Sequence, residues 1–289
     1  MKKIVLFALF ASLALGSCGD KTKDADQTAT ALVAKPTPPT AEGTLRVLFV
    51  GNSHTEYFAS FPQVLEALAK ENSKPLEVKK LVEMGVSLDR ILASNKKEAD
   101  KIFSATDADG NYFDFIILQE STPVAIQDLE DYKANVKTIH DLATKNSPEV
   151  ATYIYGLTAP FEYNGSDYKE YQPILQENGV MVAQSVPNTG YLNFSAVLGA
   201  AYQGKEGYIA VVEGKDQLRF TDSSHHMLND AVFVNSIVLY QTLFGETPKI
   251  PQQLPLSTGT TDHDGIKIMD VEKGVSNPGA LLKIAANFK

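Results

Sequence analysis

The chain has 289 residues, 44% of them apolar and 21% charged, a balance that argues against a disordered, collagenous or multi-span membrane protein. Its 26 Lys and Arg stand against 35 Asp and Glu, a formal charge of −9; an acidic chain without basic runs is a poor partner for polyphosphate, so no nucleic acid is expected. The single cysteine, Cys18, excludes an intrachain disulfide and a cysteine-rich metal site.

At the amino terminus Lys2 and Lys3 precede an apolar stretch from Ile4 to Leu15. It is too short to cross a bilayer comfortably and reads as the core of a signal peptide. It ends Leu15-Gly16-Ser17-Cys18, which resembles the lipobox of bacterial lipoproteins. That resemblance implies a signal peptide over 1–17, lipidation of Cys18, and a lipid-anchored place in the bacterial cell envelope, periplasmic or facing the outer membrane. Residues 18–43, with Lys35-Pro36-Thr37-Pro38-Pro39-Thr40, are too polar and proline-rich to build a core and read as a disordered tether. One domain is expected over 44–289.

Leu45 to Val50 is β-branched and apolar and reads as a buried strand, broken by Gly51-Asn52. Phe58, Phe61, Leu65, Leu68 and Ala69 recur at helical spacing, which predicts a helix from Glu56 to Asn72. Leu76–Val82 is a second strand, ended by Met84-Gly85, and a helix is expected from Leu88 to about Ser104. Phe113–Leu118 is a third strand and Leu129–Lys145 a helix. Ala151–Tyr155 is a fourth strand, Tyr168–Gln184 a helix, and Tyr191–Asn193 a short strand. Asp230–Phe244 is a strong helix. The tail from Thr247 is rich in Pro, Thr and Gly and ends in a short helix with Pro278 in its first turn after Asn277. Near-continuously apolar strands alternating with helices predict an α/β fold, a three-layer α/β/α sandwich on a flavodoxin-like parallel sheet. Ligands of such sheets collect outside the carboxyl ends of the strands. Three polar segments lie there: Gly51–Thr55, Met84–Ser87 and Gln119–Thr122.

Ser53 follows the first strand and is expected to open a helix, whose N-terminus brings free N–H groups and a positive dipole end. Ser53-His54-Thr55-Glu56 equally fits a capping box. Asp222 and His225, three apart before the last long helix, can set a carboxylate against one imidazole nitrogen and leave the other to a nucleophile. Solvated histidines on a capped loop fit the same residues. No Gly-x-Gly-x-x-Gly follows the first strand and no phosphate-loop lysine is present.

Together these segments resemble an SGNH/GDSL-type hydrolase from about Thr44 to Gly245. Gly51-Asn52-Ser53 stands where that superfamily usually has Gly-Asp-Ser, and Asp222-Ser223-Ser224-His225 matches its Asp-x-x-His. The resemblance implies Ser53 as nucleophile, His225 as base and Asp222 as the acid that orients it. Gly85 matches the glycine whose N–H binds the oxyanion. Leu118-Gln119-Glu120 replaces the usual Gly-x-Asn-Asp, so the chain is similar to a divergent branch with Gly-Asn-Ser and Leu-Gln-Glu. Gln119 would then be the oxyanion's amide donor. Glu120 is a further polar group there, for a substrate hydroxyl or for capping the next loop. His226 stands where a proline is usual.

The implied activity is hydrolysis of small acyl esters, acetyl groups on carbohydrate among them, by a serine esterase without cofactor or metal. Two other readings stay open. One is a non-catalytic glycan- or ligand-binding lipoprotein on the same scaffold. The other is a metal-dependent hydrolase in which Asp222, His225, His226 and His54 converge on an ion.

Overall fold

The computed structural model describes residues 33–39, 43–108, 110–159, 162–163, 166–220, 226–259 and 265–288. Five strands form a parallel sheet: β1 (Leu45–Gly51), β2 (Leu76–Val82), β3 (Phe115–Leu118), β4 (Ala151–Tyr155) and, after the two-residue pair β5 (Glu162–Tyr163) and β6 (Ser166–Asp167), β7 (Thr189–Leu192). Their spatial order is β2-β1-β3-β4-β7. The chain leaves β1 toward β2 on one side and returns to β3 on the other, so the crossover direction reverses between β1 and β3. In register, Val50 lies beside Leu118, which sets Gly51 next to Gln119 at the carboxyl ends.

Helices cover both faces. Helices α1 (Phe61–Glu71), α8 (Asn229–Phe244) and α10 (Pro278–Ala286) pack together with α7 (Phe194–Tyr202). Helices α2 (Leu88–Ser94), α4 (Thr122–Gln127), α5 (Leu129–Ala143) and α6 (Tyr168–Ser185) pack with one another, and α3 (Lys96–Phe103) joins α2 and β2. This is the expected three-layer α/β/α sandwich. α8 is buried on every side from Asp230 to Gln241, as its nearly uninterrupted apolar sequence requires.

Several boundaries differ from the sequence expectation for identifiable reasons. The first helix begins at Phe61, because Ser60 caps it by accepting from the Gln63 N–H and Pro62 occupies its first turn. The helix expected from Leu88 breaks at Asn95, whose side-chain amide turns back to the Ile91 carbonyl at 3.2 Å and to Glu83 at 2.6 Å. Helix α7 is unforeseen; the Asn193 carboxamide caps it on the Ala196 N–H at 3.1 Å. Three antiparallel pairs are also new: β5 with β6, β8 (Val211–Val212) with β9 (Lys215–Asp216), and β10 (Gln253–Ser257) with β11 (Ile266–Asp270), the last followed by the short α9 (Val271–Gly274). In the terminal helix Asn277 accepts from the Ala280 N–H at 3.0 Å, the cap its sequence announces.

Part of the expected tether is held to the domain. Asn188 brackets Thr37 by accepting from its N–H at 2.7 Å and donating to its carbonyl at 2.8 Å. Pro36 is buried against Gly190, where a Cβ would sit 2.6 Å from its ring. The stretch 33–39 is therefore seated on the β7 edge of the sheet.

Candidate active site

The turn after β1 carries Ser53. Gly51 opens it, and only glycine fits: an added Cβ would lie 2.3 Å from Thr55 Oγ1 and 2.9 Å from Gln119 Oε1. The Asn52 carbonyl then accepts the N–H of Thr55 at 2.9 Å and of Glu56 at 3.3 Å, closing the turn. Between Thr55, which closes this turn, and α1 lie five residues that are not helical, so Ser53 sits on a free-standing turn and not on a helix N-terminus. Capping is done by Ser60, and Glu56 instead pairs with Lys80 at 2.7 Å.

Three neighbouring strand ends pin the turn. From β3, Gln119 Oε1 accepts the Asn52 N–H at 2.8 Å and the Thr55 hydroxyl at 3.1 Å. From the loop after β2, the Val86 carbonyl accepts Asn52 Nδ2 at 3.0 Å. From β4, the buried Tyr155 hydroxyl donates to the His54 carbonyl at 3.2 Å. The Val86 contact explains why an amide occupies position 52: an aspartate would aim a carboxylate oxygen at a carbonyl oxygen.

Gly85 sits exposed on the β2–α2 loop beside this turn with φ +73°, a left-handed conformation that favours glycine. The Asp222 and His225 positions lie outside the described residues, but both ends of the loop that carries them are in view. Phe220 N–H donates to the His226 carbonyl at 2.8 Å and Leu228 N–H to Leu218 at 2.8 Å, with Arg219 and Met227 bridged between them. This stem leans on the segment just past Ser53. The Phe220 ring lies 4.7 Å from Phe58, and the buried His226 ring stacks on Tyr57 at 4.2 Å and lies 5.4 Å from His54.

No protein-family model matches the chain, and no curated protein does either. Solved structures do. A DUF4886 family protein from Bacteroides uniformis is 16% identical with a TM-score of 0.58, over 85% of this chain and 94% of that one. A protein from Slackia heliotrinireducens described as an SGNH hydrolase is 16% identical with a TM-score of 0.52, over 70% of this chain and all of that one. The fold is that of the SGNH hydrolases.

Within this SGNH fold, two residues expected at the pocket turn inward. Gln119 is 1% exposed, and its amide nitrogen donates to the Glu120 carbonyl. The Asn52 N–H can only donate, which fixes the amide oxygen toward it and the nitrogen away. Gln119 thus braces the Ser53 turn from beneath, in place of the expected donation to an oxyanion. Glu120 is fully buried. Burial pushes its carboxyl above the usual range, partly offset by hydrogen bonds from Asn135, Ser121 and Leu88. Of the two expected roles it fills the capping one, and a substrate hydroxyl has no access to it.

His54 is half-buried and points across to Thr122, with Nε2 3.5 Å from Thr122 Oγ1. The sequence pattern does not single out Tyr57, Phe58 or Tyr155 as residues of this region, whereas Thr122 ends a polar segment it places there. Phe58 was legible only as an apolar residue at helical spacing. Among the described residues, no group of three His, Cys, Asp or Glu is arranged to hold a metal ion.

Proposed function

We propose that the protein is a serine esterase acting on small acyl esters, with acetylated carbohydrate as the substrate class, held at the cell envelope through a lipid on Cys18. The observation that carries the reading is the convergence at one sheet end of the Ser53 turn, the Gly85 loop and the stem of the Asp222–His225 loop. In this reading Ser53 Oγ attacks the ester carbonyl while His225, oriented by Asp222, accepts the hydroxyl proton. The Ser53 and Gly85 N–H groups receive the oxyanion. As the tetrahedral intermediate collapses, His225 gives the proton to the leaving alcohol; water then releases the acid from the acyl-enzyme and restores Ser53. With Gln119 used as a brace, backbone donors carry the oxyanion, and each such donor is worth roughly 2.7–4 kcal/mol of barrier.

The test is p-nitrophenyl acetate hydrolysis by the full chain and by Ser53→Ala, each with and without EDTA, followed by acetylated glycans. The expected result is turnover that Ser53→Ala abolishes and EDTA leaves unchanged. Turnover that survives Ser53→Ala overturns the nucleophile, and turnover lost to EDTA turns the assignment to a metal-dependent hydrolase.

A further inference from the structure

The buried carboxylate of Glu120 contacts no substrate-accessible surface, yet it joins three pieces of the site region. Its Oε1 accepts the Leu88 N–H at 3.2 Å and the Ser121 N–H at 2.6 Å, and its Oε2 accepts Asn135 Nδ2 at 2.9 Å. Leu88 is the first residue of α2, three residues after Gly85. On the other side of the same loop, Asn52 Nδ2 holds the Val86 carbonyl. The short loop from Gly85 to Leu88 is therefore suspended between two fixed points, one on the nucleophile turn and one on the end of β3. Gly85 itself is exposed at the free side of this suspension.

We propose that Glu120 is a positioning residue that fixes the Gly85 N–H relative to Ser53 by holding the start of α2 against the end of β3. This deepens the esterase reading and rests on it for the role of Gly85. A buried carboxylate without donors would be costly, and here each oxygen is supplied by groups that must themselves be satisfied. The Leu88 and Ser121 N–H groups are backbone donors at the starts of α2 and α4, where a helix leaves its first N–H groups without internal partners. The role needs acceptor oxygens and not the charge. In Glu120→Gln, the amide oxygen keeps both backbone donors, and the amide nitrogen meets Asn135, whose own carboxamide can rotate to present its oxygen. In Glu120→Ala, all three donors lose their partner.

The experiment compares wild type, Glu120→Gln and Glu120→Ala in the full chain, by kcat and KM on p-nitrophenyl acetate and by amide hydrogen exchange across residues 84–88. Glu120→Ala is expected to lower kcat on the order of 100-fold, the cost of a misplacement near 1 Å, with KM within about threefold. Exchange at Gly85–Leu88 is expected to speed up. Glu120→Gln is expected to keep kcat within about threefold of wild type and to keep the Leu88 amide protected. If Glu120→Ala does not fold, Asn135→Ala removes one donor only and is expected to shift kcat and exchange in the same direction by less. A Glu120→Gln variant as slow as the alanine variant with unchanged exchange overturns the proposal, because the carboxylate itself would then do chemistry. A rise in KM alone in both variants, or wild-type exchange in Glu120→Ala, overturns it as well. If wild type hydrolyses no ester, the esterase reading fails by itself, and the exchange comparison still decides whether Glu120 holds the loop.

Discussion

At the amino end of the sheet, the Arg46 guanidinium meets Asp107 at 2.7 Å and lies over the Tyr112 ring at 4.6 Å, and the Asp114 carboxylate accepts the Arg46 N–H at 2.7 Å. At the carboxyl end the contacts are of another kind. The amides of Asn52 and Gln119, the hydroxyls of Thr55 and Tyr155 and backbone groups hold one another, the buried Glu120 carboxylate faces donors, and an ion pair, Glu56–Lys80 at 2.7 Å, stands apart from this network. Ion pairs near the surface tolerate water and small displacements, and each adds little stability. Buried hydrogen bonds between neutral groups are directional, and any loss leaves an unsatisfied partner. One end of the sheet is closed mainly by charge; at the other, hydrogen-bond geometry holds the Ser53 turn.

The largest effect should come from breaking the geometric end. Gly51→Ala forces a Cβ into Thr55 Oγ1 and Gln119 Oε1 and so separates the brace from the turn. The expected cost is about 3 kcal/mol from overpacking and disrupted hydrogen bonds together, measured by urea unfolding. In the esterase reading, turnover should fall at least about 100-fold because Ser53 is displaced.

A smaller effect is expected at the charged end. Arg46→Ala removes the Asp107 pair and the stacking on Tyr112, for an expected loss of about 1–2 kcal/mol that shrinks at high salt. Turnover should be unchanged. A salt-independent loss, or a fall in kcat, would show that the two ends are coupled and break the contrast.

The smallest expected effect belongs to a group between the two ends. His140 on α5 is buried with Nδ1 3.0 Å from Thr152 Oγ1, and desolvation lowers its pKa from the ordinary 6.5. As pH falls through 6.5, the unfolded chain takes up this proton before the folded one does, so acidification removes stability. The contribution is whole above that pH and declines below it, until the folded imidazole also protonates. Thermal midpoints measured between about pH 7.5 and 5 should drop more steeply for wild type than for His140→Asn.

The inner parallel strands were legible because burial on both faces writes itself as apolar runs, and Ala151–Tyr155 begins and ends as expected; the edge strand Leu76–Val82 also keeps its expected bounds, although Glu77, Lys79 and Lys80 interrupt it. The start of α1 was less legible. Phe58 fits the helical period, but it is buried against Phe220 and the loop stem, so its apolar character serves the site region. The better signal was Ser60 followed by Pro62. The sequence pattern places Asn193 at a strand end, although its side chain belongs to the helix it caps.

The sequence by itself determined the alternation of the sheet strands with the main helices, the sheet end at which polar segments gather, and the breaks at Gly51 and Gly85. Those properties depend on residues close in the chain: apolar runs, turn formers and backbone angles. It did not determine what Gln119 and Glu120 do. An amide or a carboxylate after a strand can face a ligand, a cap or a neighbouring turn, and the choice depends on which donors arrive from elsewhere. Asn52 and Thr55 come from the turn after β1, Leu88 from the start of α2 and Asn135 from α5. Only the tertiary structure brings them within reach, and once buried there, both side chains must take those partners because no water remains to satisfy them.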